Sequence, residues 1–126
     1  MVSVTESMVG NIPYTNISLT RGDDCTLVLP IYTVAADGTR TEYTPDVSDT
    51  FAVTVRVAPV ENSGTTPTVV FNGSVSVVSD KVNWVISHSN STQNCGKYYW
   101  DAQITTGGKI YTFYQGTLNI TPEVTT

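Results

Sequence analysis

A serine–histidine–aspartate triad needs an imidazole as its general base, and His88 is the only histidine in the chain. It falls in the polar run His-Ser-Asn-Ser-Thr-Gln-Asn, residues 88–94, which reads as a solvent-exposed turn. Glycoside hydrolysis needs two carboxylates facing each other across a cleft. Asp46 and Asp49 are close in sequence, but they lie in a loop with no sign of a pocket. A calcium site drawn from Asp23, Asp24, Asp46 and Asp49 would have to gather about six to eight oxygens. Capping backbone amides in turns is the simpler task for such acids. Cys25 and Cys95 are too few for a disulfide framework or a tetrahedral metal site. A bridge between them would suit an oxidising compartment, and two small buried apolar residues would suit a reducing one; the second reading is preferred. No catalytic residue, metal ligand or cofactor site is expected, and the chain reads as non-enzymatic.

Arg21-Gly22-Asp23 spells an adhesion tripeptide. A turn before a strand accounts for it, with Gly22 in a conformation other residues avoid and Asp23 bonded back to backbone amides. Four Asn-X-Ser/Thr matches, at Asn16, Asn72, Asn90 and Asn119, follow from a composition rich in those residues. The aromatics carry more information. Trp84, Tyr98 and Trp100 occupy the apolar phase of their segments and are expected in the core. Tyr99, Tyr111, Phe113 and Tyr114 cannot all point inward if neighbours alternate between faces. These four are therefore the interface candidates, because exposed aromatics on a weakly charged surface signal a partner. A protein partner is preferred to a sugar, since Tyr and Phe are enriched in interface cores.

Strands must hold those aromatics. Thr occurs 21 times and Val 18 times, against 4 Leu and 5 Ala. β-Branched side chains fit a pleated surface and lose rotamer freedom on a helix, so the chain should be all-β. Its 126 residues amount to one domain. Charged residues are 13% of the chain, against roughly 25% in an average globular domain, so part of the surface is expected to be covered by neighbours. The net charge is -5 with six dispersed cations, which argues against nucleic acid. No apolar run approaches the roughly 20 residues of a membrane span. The opening MVSVTESMVGN lacks the basic start and apolar stretch of a secretory signal, so folding in a cytoplasm is expected.

Residues 1–16 show no convincing alternation and read as an N-terminal arm, with a first short strand near Ile17 and Leu19. Cys25, Leu27, Leu29 and Ile31 keep period two across Pro30, which should face an edge or a bulge. Ala36-Asp37-Gly38 is a turn signal. Phe51, Val53, Val55 and Val57 make a half-buried strand, and Pro59 to Pro67 a long exposed loop. Val69, Phe71, Val75 and Val77 alternate around a bend at Asn72-Gly73. A tight turn at Asp80-Lys81 leads to Val82, Trp84 and Ile86. Tyr98, Trp100, Ala102 and Ile104 precede Gly107-Gly108, a strong hairpin signal. The partner strand runs from Ile110 to Gln115, Gly116 interrupts, and Leu118 and Ile120 finish the domain at residue 120. Residues 121–126 form a C-terminal tail. Seven or eight short strands at this spacing point to a two-sheet sandwich over 17–120. Gly96-Lys97-Tyr98 is similar to the corner before the penultimate strand of an immunoglobulin-like sandwich, where a Tyr hydroxyl bonds back to the backbone. The cysteine usual two residues later is replaced by Trp100.

Several short series taken together, Leu19-Thr20-Arg21-Gly22-Asp23-Asp24, Asp37-Gly38 and Val53-Thr54-Val55-Arg56, resemble the N-terminal domain of phage baseplate upper proteins. Gly73-Ser74-Val75, the run from Gly96 to Gln103 and the run from Gly116 to Thr121 continue the likeness over roughly residues 17–125. The resemblance implies an immunoglobulin-like sandwich in a tailed-phage virion, assembled in the bacterial host's cytoplasm. Partners would be other virion proteins, of capsid or tail, and copies of itself. Proteins of that family continue into helical and receptor-facing parts, whereas this sequence stops at residue 126. A free-standing sandwich with short arms is similar to capsid decoration and auxiliary head proteins. The expected function is an auxiliary or decoration capsid protein first, and a tail or baseplate component second. The alternative is a carbohydrate-binding module for host-surface attachment, using Tyr99 and Tyr111.

Overall fold

The computed structural model describes the backbone of residues 2–9, 12–34, 36–37, 39–59 and 66–123, and the side chains of these residues from Tyr14 onward except Val34. Their elements are β1 (Val2–Val9), β2 (Ile12–Thr20), β3 (Cys25–Leu29), β4 (Ile31–Val34), β5 (Arg40–Tyr43), β6 (Thr50–Arg56), β7 (Val69–Asn72), β8 (Ser74–Val78), β9 (Lys81–Ile86), α1 (His88–Ser91), β10 (Gly96–Thr106) and β11 (Lys109–Thr121). As the composition demands, the fold is all-β. A six-stranded sheet has the order β1-β2-β11-β10-β6-β7, a three-stranded sheet the order β3-β9-β8, and β4-β5 form a separate hairpin.

The period-two positions explain how the two larger sheets share one core. Val53 and Val55 of β6, Trp100, Ala102 and Ile104 of β10, and Leu118 and Ile120 of β11 are buried on one face of the large sheet. Leu29 of β3 and Val82, Trp84 and Ile86 of β9 meet them from the small sheet. At the centre the rings of Trp84 and Trp100 lie 4.9 Å apart, and Tyr114 stacks on Trp100 at 6.4 Å. Truncating one such aromatic to Ala costs about 3–5 kcal/mol.

Gly73 lets the chain change sheets. The run read as one bent strand is two strands, β7 in the large sheet and β8 in the small one. A Cβ at Gly73 would fall 2.5 Å from Trp84 Nε1 and 2.9 Å from Val53 Cβ. Only glycine lets the crossing chain pass this close to the central indole, whose N–H is buried without an acceptor.

Several boundaries differ from the sequence reading. The first strand of the domain begins at Ile12, and the segment read as an arm contains β1, paired antiparallel with β2 from Val2↔Leu19 to Val9↔Ile12. Main-chain pairing needs no side-chain alternation, which is why 1–16 looked irregular. β2 in turn runs parallel to β11, from Gln115↔Tyr14 to Thr121↔Thr20. Gly116 does not interrupt that strand. β11 is continuous from Lys109 to Thr121, and a Cβ at Gly116 would press into the Thr15 main chain, 2.6 Å from its carbonyl carbon. Pro30 separates β3 from β4, and the β4-β5 hairpin was not anticipated. The tight turn sits at Ser79 and Asp80, both at positive φ, 52° and 63°. The 59–67 loop and the C-terminal tail lie partly outside the described residues.

Candidate interaction surfaces

The turn residues singled out in the sequence form one joint. Gly22 has φ +87°, and Asp23 N–H donates to Thr20 O at 3.1 Å to close the turn. Arg21 Nε donates to Gln93 O at 3.0 Å, and its NH1 lies 3.3 Å from Glu123 Oε1. The tripeptide's guanidinium is thus engaged within the fold. Asp24 Oδ1 accepts the His88 N–H at 2.6 Å, and the buried Ser91 hydroxyl donates to Asp23 O at 2.7 Å. The polar run around His88 is a single helical turn capped by Ser87, with the His88 side chain exposed. At the start of β10, Gly96 has φ +151°, and the Tyr98 hydroxyl donates to Asn94 O at 2.5 Å. This is the back-bond expected of that corner.

The four aromatic interface candidates separate. Tyr111 is 52% exposed near the β10-β11 hairpin tip, beside exposed Ile110. Tyr99 is half-buried on the outer face of the large sheet. Phe113 and Tyr114 are buried, at 9% and 4% exposure, and are core residues. The alternation argument fails there because β11 carries a bulge. Ala102 pairs with Tyr114 and Gln103 with Thr112, leaving Phe113 as the extra residue. The bulge turns two consecutive aromatics to the same side. Phe113 then meets Phe51 edge-on at 6.0 Å.

Both cysteines are free thiols. Cys95 is exposed rather than buried, while burial together with Asp23 and Asp24 pushes the half-buried Cys25 thiol above its usual pKa. A protonated thiol is a poor nucleophile. In the 43–49 loop, Asp49 accepts from the Tyr43 hydroxyl at 2.5 Å and from Asp46 N–H at 2.9 Å. These bonds hold its carboxyl below the usual range and raise the Tyr43 phenol. Asp46 and Asp49 are therefore joined by turn hydrogen bonding.

Two surfaces stand on opposite outer faces, and of their residues the sequence singled out only Tyr99. On the small sheet, inward Leu27, Trp84 and Val75 alternate with outward Val28, Val85 and Val78, which are 54%, 40% and 54% exposed. Around them stand Thr26, Ser74, Ser76 and Asn83. Lys81 is the one charged residue of β3, β8 and β9, and it pairs with Glu42 of β5. Val28 continues into a cleft of about 350 Å³ lined by Thr15, Ile17, Leu27, Leu29, Tyr32 and Tyr114, among others. Thr15 Oγ1 is buried there without a partner, and Arg40 sits 4.1 Å above the Tyr32 ring at the margin. The large sheet presents a polar face instead, with Thr54, Arg56, Asp101 and Gln115 at outward positions. Period two would have placed these residues outside, but only the strand register brings them together. Compared with models of known protein families the chain matches none, and no curated protein matches it.

Proposed function

We propose that this chain is an immunoglobulin-like β-sandwich and a non-enzymatic structural component of a tailed-phage virion. Its place is an auxiliary or decoration protein of the capsid first, and a tail or baseplate component second. The strand order supports the sandwich. β7-β6-β10-β11 and β3-β9-β8 correspond to the C′CFG and BED sets of such domains, and the Tyr98 corner precedes the F-like strand. β2 takes the A position but pairs with β11 in place of β3, and β1 and the inserted β4-β5 hairpin are this chain's additions.

One observation carries the functional reading. The outer face of the small sheet exposes Val28, Val78 and Val85 with no uncompensated charge on its strands, and through Val28 it adjoins a cleft of mixed polar and apolar lining. A solvated sheet face normally carries charged residues, whereas this one sets exposed valines among uncharged polar residues with its one charge paired, a composition suited to a protein contact. Other virion proteins and further copies of the chain are the partners this face suits. Light scattering coupled to size-exclusion chromatography tests it, with the chain alone and mixed with capsid shells or tail proteins. Co-elution that is lost in Val85→Lys, with the variant still folded, is the expected result. A chain that joins neither particle nor itself would overturn the reading.

A further inference from the structure

The outer face of the six-stranded sheet carries a feature of different chemistry. Because Val53, Val55, Trp100 and Ala102 fill the core, their neighbours Thr54, Arg56, Tyr99 and Asp101 face away from it. Gln115 stands opposite Asp101 on β11, and Tyr14 stands opposite Gln115 on β2. Together with Ala58 and Pro59 they surround a depression of about 150 Å³.

Three properties of this depression point to a ligand. Asp101 is half-buried, yet among the described residues no hydrogen bond reaches its carboxylate. A partly desolvated carboxylate held by no donor of the fold is open to a ligand's hydroxyls, and such groups collect at functional sites. Arg56 lies near enough for its charge to act on Asp101, but its NH1 donates to Pro67 O at 2.9 Å, leaving further N–H donors of the guanidinium. Two tyrosines, from β2 and β10, flank these charges.

We propose that this depression binds one pyranose ring of a neutral sugar. Tyr99 and Tyr14 would lie against the ring's C–H surface, and Asp101, Arg56 and Gln115 would share its hydroxyls. Sugar hydroxyls both donate and accept, so a single neutral ligand satisfies the acid and the guanidinium together. A simple cation or anion would gain from one of them and be repelled by the other. The size agrees. The depression holds roughly five waters at ~30 Å³ each, well short of the roughly 300–1,000 Å³ of a pocket that engulfs a drug-sized ligand. One ring of a longer glycan would sit in it, with the chain continuing over the polar sheet face. The inference is independent of the assembly face, which lies on the other sheet.

The test is a ¹H–¹⁵N NMR titration of the ¹⁵N-labelled chain with glucose, galactose, N-acetylglucosamine and rhamnose, and with short oligosaccharides of each. Expected are saturable shifts centred on Tyr99, Asp101 and Gln115, with millimolar dissociation constants for the single sugars. The isosteric Asp101→Asn should weaken binding by at least about tenfold, as loss of a charge-assisted acceptor does. Tyr99→Ala should weaken it comparably, and Gln103→Ala, outward on the same strand but outside the depression, should leave it unchanged. Well-dispersed spectra of the variants separate lost binding from lost folding. Tighter binding of an oligosaccharide assigns the site to a glycan chain, and equal binding assigns it to a free sugar. The proposal is overturned if no sugar gives saturable shifts at these residues, if Asp101→Asn binds as well as the parent, or if they respond only to added virion protein.

Discussion

Replacing Gly116 with Ala tests whether the parallel pairing of β2 with β11 is integral to the domain. The new Cβ would fall on the Thr15 carbonyl oxygen, its nearest neighbour, and lie 2.6 Å from the carbonyl carbon and 2.9 Å from the nitrogen. Carbon atoms prefer about 3.5–4.0 Å, so relieving the carbonyl carbon alone needs a retreat of about 1 Å, and the closer carbonyl oxygen demands more. Backbone has no alternative rotamer with which to absorb the contact. Overpacking of this kind costs about 1–3 kcal/mol. The retreat also loosens the ladder at Thr15 and the bond from Trp100 Nε1 to Thr15 O, at 3.3 Å already long. One or two lost hydrogen bonds add about 0.5–1.5 kcal/mol each. A total near 3 kcal/mol is a large share of a domain's roughly 5–15 kcal/mol. With an unfolding entropy of about 2.1 cal/mol/K per residue, 126 residues give about 0.26 kcal/mol/K, and Tm should fall by about 11 °C. Gly107→Ala is the control. Its φ is +56° and nothing lies within 4 Å of the added atom, so only the left-handed backbone cost of about 1–2 kcal/mol applies. Thermal and urea unfolding followed by circular dichroism measure both variants, and hydrogen exchange should report lost protection in β2 of Gly116→Ala. Equal destabilisation of the two variants, or unchanged protection in β2, would refute the close-packed parallel pairing.

Three further predictions concern other parts of the molecule. Tyr98→Phe removes the hydroxyl bonded to Asn94 O and should cost about 1 kcal/mol, read as a lower urea midpoint at constant slope; an unchanged midpoint would show that the corner contributes nothing. Ser79→Asn with Asp80→Gly supplies the residues a positive-φ pair favours and should stabilise by about 1 kcal/mol, whereas a destabilised double variant would contradict the turn geometry. Burial raises the Asp101 pKa against the opposing pull of Arg56, so the folded state holds that proton more tightly than the unfolded chain. Its contribution is fully present below the ordinary carboxylate pKa and is lost as pH rises through the folded value. Asp101→Asn should therefore raise Tm at neutral pH, with the gain vanishing in acid; a pH-independent difference would point to another cause.

The sequence was most informative where one residue type has one physical role. Gly107 and Gly108 take φ values of +56° and +76° at the anticipated hairpin, and Tyr98 makes its expected corner bond. Alternation in β3, β6, β9 and β10 correctly assigned inward residues, because burial of one face enforces period two. The same signal is silent about which sheet a strand joins, so the crossing at Gly73 looked like a bend. Nor does alternation foresee a bulge, since the extra residue Phe113 changes the facing of its neighbours without altering composition. That is why Phe113 and Tyr114 stand among the interface candidates although both are core residues. Gly116 looked like a breaker because the partner that needs its missing side chain, Thr15, is about a hundred residues away. Both candidate surfaces were hidden for a related reason. Val28, Val78 and Val85, like Arg56, Asp101 and Gln115, become neighbours only through strand register.

The most direct test of the central claim is quantitative mass spectrometry on purified phage particles produced from the genome that encodes this chain. A structural component should co-purify with intact particles through a density gradient at a fixed stoichiometry, in many copies for a capsid auxiliary protein and fewer for a baseplate component. Absence from the particles, with the chain recovered only in the soluble lysate, would contradict the virion assignment.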